Sequence, residues 1–147
     1  MSVEEPPAEG DAVRIYRAYN AAENARDGEA MNALLAPDIA IEMNGRPALS
    51  SADDDAVAMA ALFDAYPDYN REIVAVVDGG TRAAIRWRMV GHGAAKFGGR
   101  LPDLDVQGCS FIEVEDGRMT RAWLYAAEGQ IDAVLALAGS QPTNGAR

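Results

Sequence analysis

In the first half of the chain apolar residues recur at intervals of three and four, interrupted by one short stretch of alternation; after Pro67 alternation takes over. Ala12, Ile15, Tyr16, Tyr19 and Ala22 form the buried stripe of a first helix, with Asp11 as its cap. A shorter helix follows Asp27-Gly28, carries Met31, Leu34 and Leu35 on one side, and ends at Pro37. Ile39, Ile41 and Met43 alternate as in a half-buried strand, and Asn44-Gly45 turns the chain. Ser51 to Asp55 opens a third helix. Three acids in its first turn complement the helix dipole, which accounts for the SADDD run without a metal. Met59, Leu62, Phe63 and Tyr66 face inward, and the helix stops at Pro67.

The second half predicts strands at residues 69–78, 82–92, 104–115 and 118–127. Asp78-Gly79-Gly80 and Asp116-Gly117 serve as hairpin turns. The loop GAAKFGGRLPD between the middle strands is placed at the mouth of the fold, and its glycines lack the spacing of a phosphate cradle. A last short helix carries Ile131, Val134 and Leu135 on one face. Helices followed by a long antiparallel meander predict an α+β domain with helices on one sheet face. Residues 1–10 read as a flexible acidic arm, 11–138 as the domain and 139–147 as a flexible tail.

Composition narrows the partners. A chain of 147 residues suits one domain, and a net charge of −10 disfavours nucleic acid and anionic membrane surfaces. No apolar run reaches the ~20 residues of a membrane span, and no signal peptide is recognisable. One histidine and one cysteine exclude an internal disulfide and Cys/His zinc clusters, and point to a reducing cytoplasm. No metal or cofactor is expected.

Several strings, in this order, resemble the SnoaL-like polyketide cyclase family: AYNA at 18–21, LLAPD at 34–38, AYPDY at 65–69, RWRMVGHG at 86–93, and GCSFIEVEDGRM at 108–119 followed by Trp123 and Tyr125. The resemblance implies a nuclear-transport-factor-2-like (cystatin-like) fold, in which three to four helices wrap a curved antiparallel sheet into a cone around an apolar pocket. It does not fix a reaction, since such cones include cyclases, ketosteroid isomerase, epoxide hydrolases and non-catalytic modules.

Carried over residue by residue, the family's catalysts are missing. The cyclase aspartate falls at Leu124 and its histidine at Ser110. The isomerase tyrosine falls at Ile15, its base at Met43 and its oxyanion-hole acid at Ser110. The aspartate–arginine–aspartate set of limonene epoxide hydrolase falls at Arg88, Arg86 and Leu124, so only the arginine survives.

The remaining candidates are His92, the one side chain that titrates near pH 7 unperturbed, with Arg88 and Tyr19. If Arg86 points into the cone, alternation puts Arg88, Val90 and His92 on the same face, where they would bind an enolate or phenolate oxygen and move a proton. A solvated position at the rim is the competing reading of His92, and pairing with exposed carboxylates across the sheet that of Arg86 and Arg88. Tyr16 and Tyr19 lie on the buried face of the first helix, as core or as hydroxyl donors. Ile15, Met43, Phe63, Val90, Ser110 and Leu124 would shape a pocket for a hydrophobic oxygenated molecule.

The expected function is a cofactor-independent cyclase or isomerase. The alternatives are a non-catalytic binding or dimerisation module, and an epoxide hydrolase or epoxide-opening cyclase using Glu42 or Asp68. Trp87, Trp123 and Tyr125 are assigned to the outer sheet face, as the surface of a homodimer or higher homo-oligomer.

Overall fold

The structure is a computed structural model and describes residues 8–127. The proposed terminal arm and tail and the helix around Ile131 lie wholly or mainly outside the described residues. Within them the order is α1 (Asp11–Asn24), α2 (Gly28–Ala33), β1 (Leu35–Met43), β2 (Arg46–Leu49), α3 (Ala52–Ala65), β3 (Asn70–Asp78), β4 (Arg82–Gly91), β5 (Leu104–Glu115) and β6 (Arg118–Ala126). The strands form one curved sheet in the order β2-β1-β6-β5-β4-β3. Its pairs are antiparallel except β1–β6, which are parallel. Register shifts in β1–β2, β3–β4 and β5–β6 are the irregularities by which a sheet bends. No helix among the described residues is long and apolar enough to cross a membrane.

Local chemistry explains most boundaries. Asp27 and Ser51 cap α2 and α3, their side chains accepting from the main-chain N–H of Ala30 and Asp54. At α1 the cap position is Gly10, and Asp11 is the first helical residue. The helix start is instead tied to the β3–β4 turn, where the Gly10 N–H donates to Asp78 and the Ala12 N–H to the Gly80 carbonyl, each at 2.9 Å. Asn44-Gly45 and Asp116-Gly117 take left-handed backbone angles, as tight hairpins require. Pro37 does not end α2. It lies inside β1, where the β1–β6 register jumps from Leu35 to Ala40 and a residue without an N–H is tolerated.

The main correction concerns β4. Ala83, Ile85, Trp87 and Met89 face the core, so Arg86 and Arg88 face outward. Burying one indole and three aliphatic groups outweighs anything gained by turning two guanidiniums inward. Trp87, expected on the outer face, is fully buried and donates Nε1–H to Ser110 Oγ at 2.8 Å. Its register partner is Gly108, and a Cβ there would lie 2.5 Å from the Trp87 ring and 2.7 Å from the Tyr125 carbonyl. Residues 93–103, expected at the mouth of the fold, pack on the end of α3: Ala94 N–H donates to the Ala65 carbonyl and Tyr66 OH to the Pro102 carbonyl.

Gly108→Ala should therefore lower stability by about 1–3 kcal/mol through overpacking against Trp87. Chemical denaturation checks this, and a midpoint equal to wild type would contradict the assigned packing.

Candidate functional site

A cavity of about 110 Å³ lies between α1, α3 and the inner sheet face. Most of its wall is apolar, including Ile41, Met43, Leu62, Met89, Ile112 and Leu124. The stripes of α1 and α3 and the alternation of β1, β4, β5 and β6 supply these residues. One end is polar and is built from Tyr16, Tyr19 and Glu23 of α1, Asp55 of α3, Tyr69, Arg71 of β3 and Ser110 of β5.

Arg71 and Glu23 organise that end. Both are buried, at 7% and 1% exposure, and Arg71 Nη2 faces Glu23 Oε1 at 3.0 Å. This contact is an ion pair outside hydrogen-bond geometry, which leaves the two atoms without a conventional hydrogen bond. Arg71 Nε donates to Asn20 Oδ1 at 2.8 Å, and Tyr69 OH donates to the other Glu23 oxygen. Asn24, one turn beyond Asn20 on α1, brackets the Arg71 main chain, accepting from its N–H at 2.8 Å and donating to its carbonyl at 2.9 Å. The guanidinium also stands 5.0 Å above the Tyr16 ring. Desolvation is the largest influence and opposes the Arg71 charge, but Glu23 and, after it, Tyr16, Tyr69 and Tyr19 together outweigh it and hold its pKa above the usual arginine value. Burial pushes the Glu23 carboxyl up, opposed by Arg71 and then by the Tyr69 hydrogen bond.

Asp55 is the carboxyl set into the wall beside this pair. It is 7% exposed and accepts from Tyr19 OH through Oδ2 at 2.6 Å. Desolvation raises its pKa, against the Tyr19 hydrogen bond and the Arg71 charge. The Tyr16 hydroxyl is buried and makes no hydrogen bond of good geometry within the described residues, although Ser110 stands near enough to favour its ionised form. Burial dominates there and raises the Tyr16 pKa, so the hydroxyl keeps its proton at neutral pH.

Of the residues picked out in the sequence, Tyr19, Met43, Ser110 and Leu124 line the cavity. Ile15 packs against the core and Phe63 lines a second hollow between α2 and α3, so neither reaches the first cavity. Arg88 is exposed and forms two bonds to Asp105 at 2.8 and 2.9 Å. His92 is exposed, its Nδ1 2.6 Å from Asp68 Oδ2, and the hydrogen bond to Asp68 raises its pKa. Val90 lies with them off the cavity wall, and so do Glu42 and Asp68. The expectation that Arg88, Val90 and His92 face the pocket fails because the strand presents its other face inward.

Asp55, Glu23 and Arg71 escaped the sequence reading, although two left a trace. Glu23 follows Tyr16 and Tyr19 at seven and four residues on the apolar stripe of α1. Asp55 precedes Met59 and Leu62 at four and seven on that of α3. A carboxylate on a buried stripe is the informative exception to helical patterning. No group of three His, Cys, Asp or Glu side chains among the described residues is placed to hold a metal.

The SnoaL-like domain family matches residues 16–122, a span that begins at the cavity tyrosine of α1 and ends on β6. The chain belongs to the SnoaL-like family. No curated protein sequence matches this SnoaL-like chain. Solved structures share its fold at low identity. An LEH-like epoxide hydrolase from M. tuberculosis has 18% identity, covers 88% of this chain and 92% of its own, and has a TM-score of 0.69. IdmH from Streptomyces antibioticus, a proposed polyketide cyclase, has 20% identity, coverage of 85% and 98%, and a TM-score of 0.71. A proposed ketosteroid isomerase from Kribbella flavida has 22% identity, coverage of 81% and 79%, and a TM-score of 0.63.

Two stability measurements test the polar end of this SnoaL-like cavity. Glu23→Gln leaves the buried Arg71 charge without its counter-charge and should cost about 3–5 kcal/mol. Asp55 has a folded-state pKa above its unfolded value, so its contribution is fully present below about pH 4 and is lost as pH rises through the folded value. Wild type should thus lose stability relative to Asp55→Asn between pH 4 and pH 8. Parallel thermal melting curves across that range would contradict the burial of Asp55.

Proposed function

We propose that the chain is a cofactor-independent cyclase or isomerase that moves a proton on a hydrophobic, oxygenated small molecule, with Asp55 as the proton-transfer group. The observation that carries this reading is a buried carboxyl in the wall of an apolar cavity that also contains the unpartnered Tyr16 hydroxyl. Tyr19 holds Asp55 through Oδ2 and leaves Oδ1 outside that bond. As a carboxylate, Asp55 takes a proton from a carbon beside a substrate carbonyl, and Tyr16 donates a hydrogen bond to the enolate oxygen that forms. Returning the proton at another carbon completes an isomerisation; in a cyclisation the enolate carbon attacks a second carbonyl of the same molecule, whose C=O π bond opens to an alkoxide that takes the proton back from Asp55. A pKa raised by desolvation brings the base nearer the substrate's own. The roles first considered for His92 and Arg88 pass to Asp55 and Tyr16, and Tyr19 becomes a positioning residue.

A second reading, epoxide hydrolysis or epoxide-opening cyclisation, is favoured by the Asp55, Arg71 and Glu23 set. It matches in composition the acid–arginine–acid set of limonene epoxide hydrolase, and Asp55 replaces Glu42 and Asp68 as the carboxyl. The two reactions separate by isotope. With a β,γ-unsaturated cyclic ketone in deuterated solvent, deuterium appears at the γ-carbon of the conjugated product in the first, and labelled oxygen from water appears in the diol from styrene oxide in the second. For whichever substrate turns over, Asp55→Asn should lower kcat by about 10²–10⁴-fold while the fold is retained by circular dichroism. Ligand binding without turnover on any substrate of either class would leave the binding-module alternative.

We also propose that the outer sheet face pairs two copies of the chain. Phe111, Tyr125, Val74 and Val77 are exposed there, and Phe111 meets Trp123 edge to face at 5.6 Å. Trp87 takes no part. Phe111→Lys with Tyr125→Lys should give a folded monomer by sedimentation, and an unchanged oligomer would remove this face from the interface.

A further inference from the structure

A second hollow of about 210 Å³ opens between α2 and α3. It shares Leu35, Asp55 and Met59 with the first cavity, so the partition between the two includes the carboxyl assigned to proton transfer. Met59 is the adaptable part of that partition, because an unbranched thioether changes rotamer cheaply. The outer rim is low. Ala56 and Ala60 of α3 and Gly28 of α2 are exposed, and small side chains keep the gap between the helices open.

Arg26 stands in the wall of this hollow. Its backbone is left-handed (φ 60°) at the end of α1, a conformation costly for a residue with a Cβ, and the Asp27 N–H returns to the Ala22 carbonyl behind it. The guanidinium lies 4.6 Å above the Phe63 ring and donates to the carbonyls of Pro67 at 2.8 Å and Asn24 at 3.1 Å. Neither bond neutralises it. Arg26 has no carboxylate within ion-pair distance among the described residues and acts on the buried Glu23 only through space, whereas Arg71, the arginine of the first cavity, is in direct contact with Glu23. A half-buried cation on a ring face, at the open end of an apolar passage, matches a carboxylate followed by an apolar body.

We infer that the substrate enters between α2 and α3 and is a carboxylate-ended, otherwise apolar molecule. Its carboxylate rests on Arg26, and its body passes Met59 into the first cavity, bringing its reacting oxygen function to Asp55. This assignment names the substrate class of the site proposed above and rests on that reading of the cavity.

Binding calorimetry on the full chain tests it without turnover, using sodium hexanoate, sodium decanoate and decylammonium chloride as probes. Wild type should bind decanoate at least tenfold more tightly than hexanoate, because only the longer chain passes Met59. Decanoate should also bind more tightly than decylammonium. Ala60→Phe places a ring at an exposed rim position and should remove the dependence on chain length. Arg26→Gln should weaken decanoate at least tenfold and should not weaken decylammonium, whose ammonium group the Arg26 charge repels. Circular dichroism checks both variants, and Ala56→Leu replaces Ala60→Phe if the latter is misfolded. Wild type that does not bind decanoate, an unaltered length dependence in the rim variant, or equal decanoate affinity in Arg26→Gln would each overturn the assignment. The fatty-acid probes carry no function for Asp55 to deprotonate, so their binding to wild type and to the Arg26 and rim variants reports on the entry route, and turnover by Asp55→Asn reports on the proton-transfer role.

Discussion

The buried pair Glu23–Arg71 is the constraint around which the rest of the site is arranged. A guanidinium removed from water is costly, and the fold keeps it charged by surrounding it with a carboxylate, an asparagine side chain and an aromatic face. Those partners come from α1, while Arg71 comes from the edge strand β3, so satisfying the charge also sets how α1 lies on the sheet. Asn20 and Asn24 finish the task at the main chain, occupying the hydrogen-bonding groups of Arg71. An edge that would otherwise be open to another strand is closed at that point by a helix.

The same arrangement gives the cavity its polarity gradient. Tyr69 and Arg71 are committed to Glu23, and Tyr19 to Asp55, so the network is dense behind the wall and sparse at its surface. The polar groups that line the cavity are therefore mostly committed to one another, and among its hydroxyls that of Tyr16 is the one without a hydrogen bond of good geometry within the described residues. Polar groups that are few and well oriented, in an otherwise apolar wall, suit a ligand that is mostly hydrocarbon.

Much of the architecture was legible in the sequence, because helical and strand periods are properties of neighbouring residues. The four strands of the second half lie within a residue or two of their expected bounds, and the Asn44-Gly45 and Asp116-Gly117 turns follow from local chemistry. The site was much less legible. Alternation shows that Arg88 and Trp87 face opposite ways but not which way is inward; the resemblance favoured the arginine and packing favoured the indole. Asp55 was hidden for a different reason. Beside Asp53 and Asp54 it satisfies the dipole explanation of an acidic first turn, and only its place four residues before Met59 marks it as buried. Arg71 becomes meaningful only with α1, whose asparagines are some fifty positions away in the chain.

The parallel pairing of β1 with β6 has a bearing on how the molecule assembles. Every other sheet contact joins strands that follow one another in the chain, and these hairpins can form as they are made. β1 has β2 on one side and must wait for β6, the last described strand, on the other. Until then Ile41 and Met43 have no floor, and Asn44 cannot reach the Leu124 and Ala126 carbonyls that fasten it. The long-range closure joins Met43 to Leu124, about eighty positions apart, and waits for all the strands between them. A nascent chain therefore carries an apolar, half-paired strand while β3, β4 and β5 emerge, and this is where a folding helper or an aggregation partner would find it.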